Sequence, residues 1–294
     1  MDATSMDIKN RVFLITGGTS GVGKATAMGL AKLGAKIVIV GRSAERCLGA
    51  LKDIADATGN DRCDFLVADL SLQSSIRDAS EEFKRKYDNL HVLANLGGAI
   101  FFERQLTREG LEKTLAVNYL SHFLLTSQLL DILKESRPAR VITVAGAPGF
   151  LKNPKIDLSD LQFEKRFNGM RATAQAMFAR VAFTFELAKR LEGTGVTALA
   201  FNPMVRSKLL RDAPWTVKIS LGLMGRSAKA DCPTGVYLAA AREVEKTSGA
   251  FFDHLMRIVP INEKYDPAMG RELWSLSEEL TGISAVQQRD RPNS

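Results

Sequence analysis

The chain has 294 residues, 45% hydrophobic and 25% charged, with a formal net charge of +7, an ordinary globular composition able to bury a core without staples. The basic residues are scattered, with no long tract interleaved with aromatics, which argues against a nucleic-acid partner. No stretch reaches the roughly 20 apolar residues of a membrane span, and Cys47, Cys63 and Cys232 form neither an even disulfide framework nor a metal-ligand spacing.

The polar first ten residues hold no secretory-signal core, so the expectation is a cytoplasmic protein with no membrane segment and no metal. The first apolar run, Val12–Thr16, reads as a buried strand. It leads into Thr16-Gly17-Gly18-Thr19-Ser20-Gly21-Val22-Gly23-Lys24 and a helical stretch over residues 24–33. A strand-to-helix turn of this kind calls for glycine at positive φ. Close approach of a pyrophosphate excludes Cβ atoms, and the helix N-terminus supplies free N–H groups and a favourable dipole. Gly17, Thr19, Ser20, Gly21, Val22 and Gly23 are therefore candidate dinucleotide-binding residues.

The second strand, residues 36–40, ends in Val40-Gly41-Arg42-Ser43. No carboxylate stands there to take a ribose 2′-hydroxyl, whereas Arg42 can make charge-assisted bonds to a 2′-phosphate. This favours NADP(H) over NAD(H). After the third strand, residues 65–68, Asp69 and Leu70 are placed to meet the adenine, through the carboxylate and a backbone N–H. Asp69 has an alternative use in capping the helix that begins near Leu72.

A helix over residues 73–86 and a strand over 92–95 bring the chain to Asn95-Leu96-Gly97-Gly98, where Asn95 and Gly97 are further candidate cofactor-binding residues. A long helical stretch over 111–135 contains Asn118. A fifth strand over 141–144, a helix over 171–191 and a sixth strand over 196–201 complete the alternation. Strands alternating with helices give an α/β fold with a doubly wound parallel sheet covered on both faces, Rossmann-type, in a single domain spanning 1–294. Two long connections, 147–168 and 204–230, leave the carboxyl ends of strands, and the second is a candidate substrate lid.

The glycine loop, Asp69-Leu70, Asn95-Leu96-Gly97-Gly98 and the segment 117–126 together resemble the short-chain dehydrogenase/reductase family. Ser248-Gly249-Ala250-Phe251-Phe252 and the segment 273–280 are similar to its retinol-dehydrogenase-like branch, and the resemblance covers about residues 6–282. It implies NAD(P)-dependent hydride transfer between an alcohol and a carbonyl. A Tyr moves the proton, a Lys four residues later lowers its pKa and holds the nicotinamide ribose, a Ser polarises the substrate oxygen, and an Asn supports a water relay. Here Thr173 stands in the Tyr position and Met177 in the Lys position. Ala145-Gly146 stand where serines are expected, and the loop at 202–207 lacks a glycine. Asn118 alone is retained, leaving Asn118 and Thr173 as the catalytic candidates.

An aliphatic hydroxyl is far too weak an acid to replace a tuned phenol, and losing a positioned general acid costs about 10²–10⁴ in rate. Three readings follow, in this order. The first is non-redox isomerisation, dehydration or cyclisation of an apolar small molecule beside a bound nucleotide, in the biosynthesis of a specialised metabolite. The second is NADPH-dependent reduction of an activated electrophile. The third is a catalytically silent NADP-binding regulatory or scaffold protein. Phe150, Trp215 and Met224 are expected to line an apolar substrate pocket. Secondary candidates are Gln175, Tyr119, Arg171, Arg206, His91, His122 and His254. Family members often dimerise through the helices beginning near Leu111 and Arg171, and a homodimer of that kind is expected.

Overall fold

Apolar runs bounded by glycine, lysine and polar turns become the strands of one sheet. In the computed structural model these are β1 (Val12–Thr16), β2 (Lys36–Gly41), β3 (Cys63–Val67), β4 (Val92–Asn95), β5 (Ala139–Val144), β6 (Val196–Phe201) and β7 (Ala250–Phe252). The structure describes residues 8–146, 155–203, 231–261 and 265–283. The strands pair in parallel in the order β3-β2-β1-β4-β5-β6-β7, so the doubly wound α/β sheet expected from the alternation is the one that forms. Only β7, three residues long, lacks a run long enough to read as a strand.

The period of two divides each strand between two layers. Leu14, Val38, Leu93, Val141 and Ala198 face one set of helices: α3 (Gln73–Lys86), α4 (Ser121–Gln128), α5 (Leu130–Glu135), α6 (Gly169–Arg190) and α8 (Pro267–Thr281). Phe13, Ile15, Ile37, Ile39, Ile142 and Leu199 face the other: α1 (Gly21–Lys32), α2 (Ala44–Thr58) and α7 (Pro233–Ala240). Burial on both faces is why these strands read as continuous apolar runs.

The stretch 111–135 is not one helix. A single α turn, Lys113–Leu115, widens into a π turn at Ala116–Leu120 before α4 begins. A break at Leu129 (φ −105°, ψ 8°) then separates α4 from α5. The π turn displaces one carbonyl from the ordinary i→i−4 ladder, and such insertions collect at functional sites.

Helix α8 packs across α4 and α6. Trp274 stacks on Phe183 at 5.8 Å between centroids and meets Phe123 edge-on at 4.9 Å. Ser277 bonds the Tyr119 hydroxyl at 2.8 Å, and Gln73 donates to the Leu280 carbonyl at 2.7 Å. These contacts lay α8 over α4 and α6 from within the chain. Among the described residues no helix is long and apolar enough to cross a membrane.

Candidate active site

The strand order reverses between β1 and β4, and the crevice beyond the carboxyl ends of those strands is where an open parallel sheet binds ligands. The glycine loop forms its first wall. Gly17 sits at φ +68°, and a Cβ there would stand 2.9 Å from the Gly97 Cα; a Cβ on Gly18 would stand 2.5 Å from that of Ile39. A Cβ on Gly23 would collide with the Gly17 carbonyl oxygen. The three glycines therefore let the turn form, let the loop lie on β2 and let α1 close against the loop. Ser20 precedes α1 with extended backbone and makes no side-chain cap. The N–H groups of Gly21, Val22 and Gly23 find no partner among the described residues. Open donors, the positive end of the helix dipole and a Cβ-free approach fit a pyrophosphate. Thr19 and Ser20 are half-buried at its edge. Lys24 is tied to Asp53 on α2.

Arg42, just past β2, is exposed and makes no ion pair among the described residues. Asp69 Oδ1 accepts from the Ser71 N–H at 2.9 Å and the Ser71 hydroxyl at 2.8 Å. The carboxylate thus caps its own turn and not the helix that follows. The first N–H groups of α3, from Gln73 and Ser74, go instead to the Glu109 carboxylate at 2.6 and 3.0 Å. Leu70 is half-buried, and its Cδ1 fills the space where Gly97 would carry a Cβ.

Asn95 turns away from the crevice. It shares the helix-layer face of β4 with Leu93, and its Nδ2 donates to Thr126 Oγ1 on α4 at 2.9 Å; the Oδ1 is buried without a partner. The bond to Thr126 ties β4 to α4. Gly97 is pinned on both sides: its N–H donates to Thr16 Oγ1 at 2.9 Å, and its carbonyl accepts from His122 Nε2 at 2.9 Å and Arg180 Nη2 at 3.0 Å. Burial, with the Arg180 charge second, holds His122 well below its ordinary pKa. It is a neutral donor whose Nδ1 is buried and unpartnered.

The second wall is α6. Thr173, Met177 and Arg180 lie at i, i+4 and i+7 on one face. Thr173 is fully buried and its hydroxyl has no partner. The Met177 Sδ lies under Gly146, where a Cβ would stand 2.9 Å from it. Asn118, in the π turn, clamps Ala99 with two bonds, accepting its N–H at 2.9 Å and donating to its carbonyl at 2.7 Å. The Asn118 carbonyl accepts from Arg180 Nε. These bonds leave Asn118 acting on protein groups on every side.

Arg180 is the residue the sequence reading passes over. Reading the Tyr-x-x-x-Lys spacing stops at 177, one turn short. The available signal is an arginine inside Met177-Phe178-Ala179-Arg180-Val181-Ala182-Phe183, a charge on a stretch that has no exposed face. Its side chain is 1% exposed. Burial alone pushes its pKa down to about 9, so it is charged at neutral pH.

The other candidates fall outside the crevice or hold the fold. Gln175 fastens the 155–161 segment, accepting from the Asp157 N–H at 2.9 Å and donating to the Leu161 carbonyl at 3.1 Å. Tyr119 belongs to the α8 contact. Arg171 is exposed, His254 is half-exposed and His91 accepts from the Val12 N–H at the opposite end of the sheet. Phe150, Arg206, Trp215, Met224 and the 204–230 lid lie outside the described residues. A hollow of about 390 Å³ lined by Lys36, Arg62, Cys63 and Tyr87 opens at the amino-terminal edge of β2 and β3, remote from the crevice.

Residues 11–157 match the family described as short chain dehydrogenase. Human polyprenol dehydrogenase is 34% identical over 288 residues, covering 94% of this chain and 87% of that protein. Human retinol dehydrogenase 12 is 36% identical over 286 residues, covering 95% and 89%. Among solved structures, an uncharacterised protein from Mycobacterium paratuberculosis superposes with a TM-score of 0.72 at 27% identity, over 92% of this chain and 93% of that one. A short chain dehydrogenase from Burkholderia cenocepacia in complex with NADP shares the fold at a TM-score of 0.67 and 22% identity, over 84% and 97%.

Proposed function

Because the chain belongs to the short-chain dehydrogenase/reductase family, a family of nicotinamide-nucleotide oxidoreductases, we propose that it binds NADP(H) in the β1–β4 crevice and reduces an activated apolar electrophile without a side-chain proton donor. The observation that carries this reading is the contrast within the crevice. A complete glycine cradle faces a helix whose polar side chains at 173 and 180, on the face shared with Met177, are an unpartnered threonine hydroxyl and a buried guanidinium. The cofactor supplies hydride. Thr173 orients a substrate oxygen by one hydrogen bond, Asn118 and Arg180 hold the crevice floor, and proton delivery falls to solvent. An enone or iminium, already electron-poor, needs little proton donation in the hydride step.

Arg42 supports NADP(H) over NAD(H), since a charge-assisted bond to a 2′-phosphate has no counterpart at a 2′-hydroxyl. One finding favours the redox reading over isomerisation, dehydration or cyclisation, which the sequence places first: the relatives above are named as dehydrogenases of polyprenol and retinol. Those names also suit an apolar substrate. The non-redox reading keeps one supporting observation, the Thr173 hydroxyl, which can hold an oxygen with no electron transfer. The test supplies NADPH with a cyclic enone, or with a simple ketone of the same skeleton. Loss of NADPH absorbance with the enone and none with the ketone is expected. Ketone reduction at ordinary family rates overturns the reading, and turnover with NADPH unchanged establishes the non-redox alternative.

A further inference from the structure

The Arg180 guanidinium has five N–H donors and uses all of them on uncharged acceptors. Nε donates to the Asn118 carbonyl; Nη1 donates to the Val144 carbonyl at 2.9 Å and to Met177 Sδ at 3.4 Å; Nη2 donates to the Gly97 carbonyl at 3.0 Å and to Asn118 Oδ1 at 3.2 Å. No carboxylate pairs with it among the described residues, and the nearest ionisable neighbour, His122, is neutral. Neutral dipoles satisfy the hydrogen bonds of a buried ion but leave its net charge in place.

That charge sits at the floor of the crevice. Val144 ends β5, and Gly97 lies two residues past the end of β4. Gly98 is exposed, and a Cβ on it would stand 3.0 Å from Arg180 Nη2, so one glycine separates the cation from the open crevice. With the pyrophosphate on α1 and the adenosine end toward Arg42 and Asp69, the nicotinamide end of a bound dinucleotide would lie toward β4 and β5, on the side of Gly98. A nicotinamide ring is cationic when oxidised and neutral when reduced. A fixed positive charge beneath it therefore acts on one redox state only.

We infer that Arg180 makes this site select the reduced dinucleotide over the oxidised one, repelling the nicotinamide cation. The inference rests on the reading that NADP(H) occupies the crevice. Its consequence is that NADP⁺ is held weakly and leaves readily, while the same charge, by stabilising NADPH relative to NADP⁺, makes the bound NADPH a weaker hydride donor than the free one.

The experiment is titration calorimetry of NADPH, NADP⁺ and 2′-phospho-ADP-ribose, which lacks the nicotinamide, against the full chain and three variants. The wild type is expected to bind NADPH about tenfold tighter than NADP⁺, the scale of two unit charges about 12 Å apart at an effective dielectric of about 20. Arg180→Lys keeps the preference and Arg180→Met removes it. Met177→Glu places a counter-ion at the Sδ position while retaining every other Arg180 bond; it removes the preference without depending on how the fold tolerates losing the arginine. 2′-Phospho-ADP-ribose binds all four proteins alike. Equal affinity of the wild type for NADPH and NADP⁺, or a preference that survives Met177→Glu, overturns the inference while leaving nucleotide binding intact. Failure of all three ligands to bind overturns the proposed function and this inference together.

Discussion

Replacing Met177 with lysine restores a residue that the family resemblance leads one to expect, and the structure predicts that it damages this protein. The Met177 Sδ lies 3.4 Å from Arg180 Nη1, so an ammonium grown from the same Cβ comes to rest about 4 Å from the guanidinium. Two like charges at that distance repel by about 4 kcal/mol at an effective dielectric near 20. The lysine can escape by shedding its proton, but bringing its pKa from about 10.4 to below 7 costs about 4–5 kcal/mol at neutral pH. Both routes give a loss of about 4 kcal/mol, measurable by urea denaturation at pH 7. The folded-state pKa of this lysine is depressed below its unfolded value. The unfolded chain therefore binds more protons near neutral pH, and the stability of Met177→Lys should recover as pH rises toward the unfolded pKa. Adding Arg180→Gln should relieve most of the loss, giving a coupling of about 3–4 kcal/mol in the double-mutant cycle. A single variant within about 1 kcal/mol of wild type, with additive effects in the double, would refute the placement of a charged Arg180 against residue 177. It follows that Thr173→Tyr with Met177→Lys yields carbonyl reduction only when Arg180 is replaced as well.

Arg42→Ala should weaken NADPH about 10–100-fold, the span of a charge-assisted hydrogen bond of about 1.5–3 kcal/mol, and change NADH little; equal losses for both would remove Arg42 from the 2′-phosphate. Gly23→Ala drives a Cβ into the Gly17 carbonyl and should cost about 1–3 kcal/mol by overpacking, together with dinucleotide binding, as read by thermal shift with and without NADPH. Acid should unfold the chain partly through His122. Its folded pKa is depressed, so below the ordinary pKa near 6.5 the unfolded chain takes up a proton that the folded one does not, and stability falls by up to about 1.4 kcal/mol per pH unit as pH drops. His91, lowered mainly by burial and then by Arg11, adds to the slope. His122→Gln should flatten it, and an unchanged slope would place the titration elsewhere.

The fold was legible because its signals are local and repeated. Val12–Thr16, the glycine turn and Lys36–Gly41 each state a strand, a phosphate-ready turn and a strand within a few residues, and the parallel alternation follows. The interruptions within 111–135 are not legible because a π turn has no composition of its own. Polar residues at strand ends in this fold point to a ligand, but their partners inside the chain are not legible: Asp69 bonds Ser71 and Asn95 bonds Thr126, 2 and 31 residues away, which spacing cannot rank. Arg180 was hidden for the opposite reason: charge in an apolar helix reads as surface until the packing shows there is none.

The residues at 173, 177 and 180 on α6 are physically linked. The guanidinium at 180 reaches the Asn118 carbonyl in the π turn, the Val144 carbonyl at the end of β5 and the Gly97 carbonyl just past β4. A second cation at 177 would then stand within about 4 Å of the first, so in this packing lysine at 177 and arginine at 180 exclude each other. Without a cation at 177 to stabilise a phenolate, a tyrosine at 173 would enter a site as buried as that of Thr173, and desolvation would raise its pKa away from neutrality. Such a phenol donates poorly in the reductive direction and cannot act as a base in the other. A small hydroxyl at 173 is therefore compatible with the arginine, where a phenol tuned for proton transfer is not.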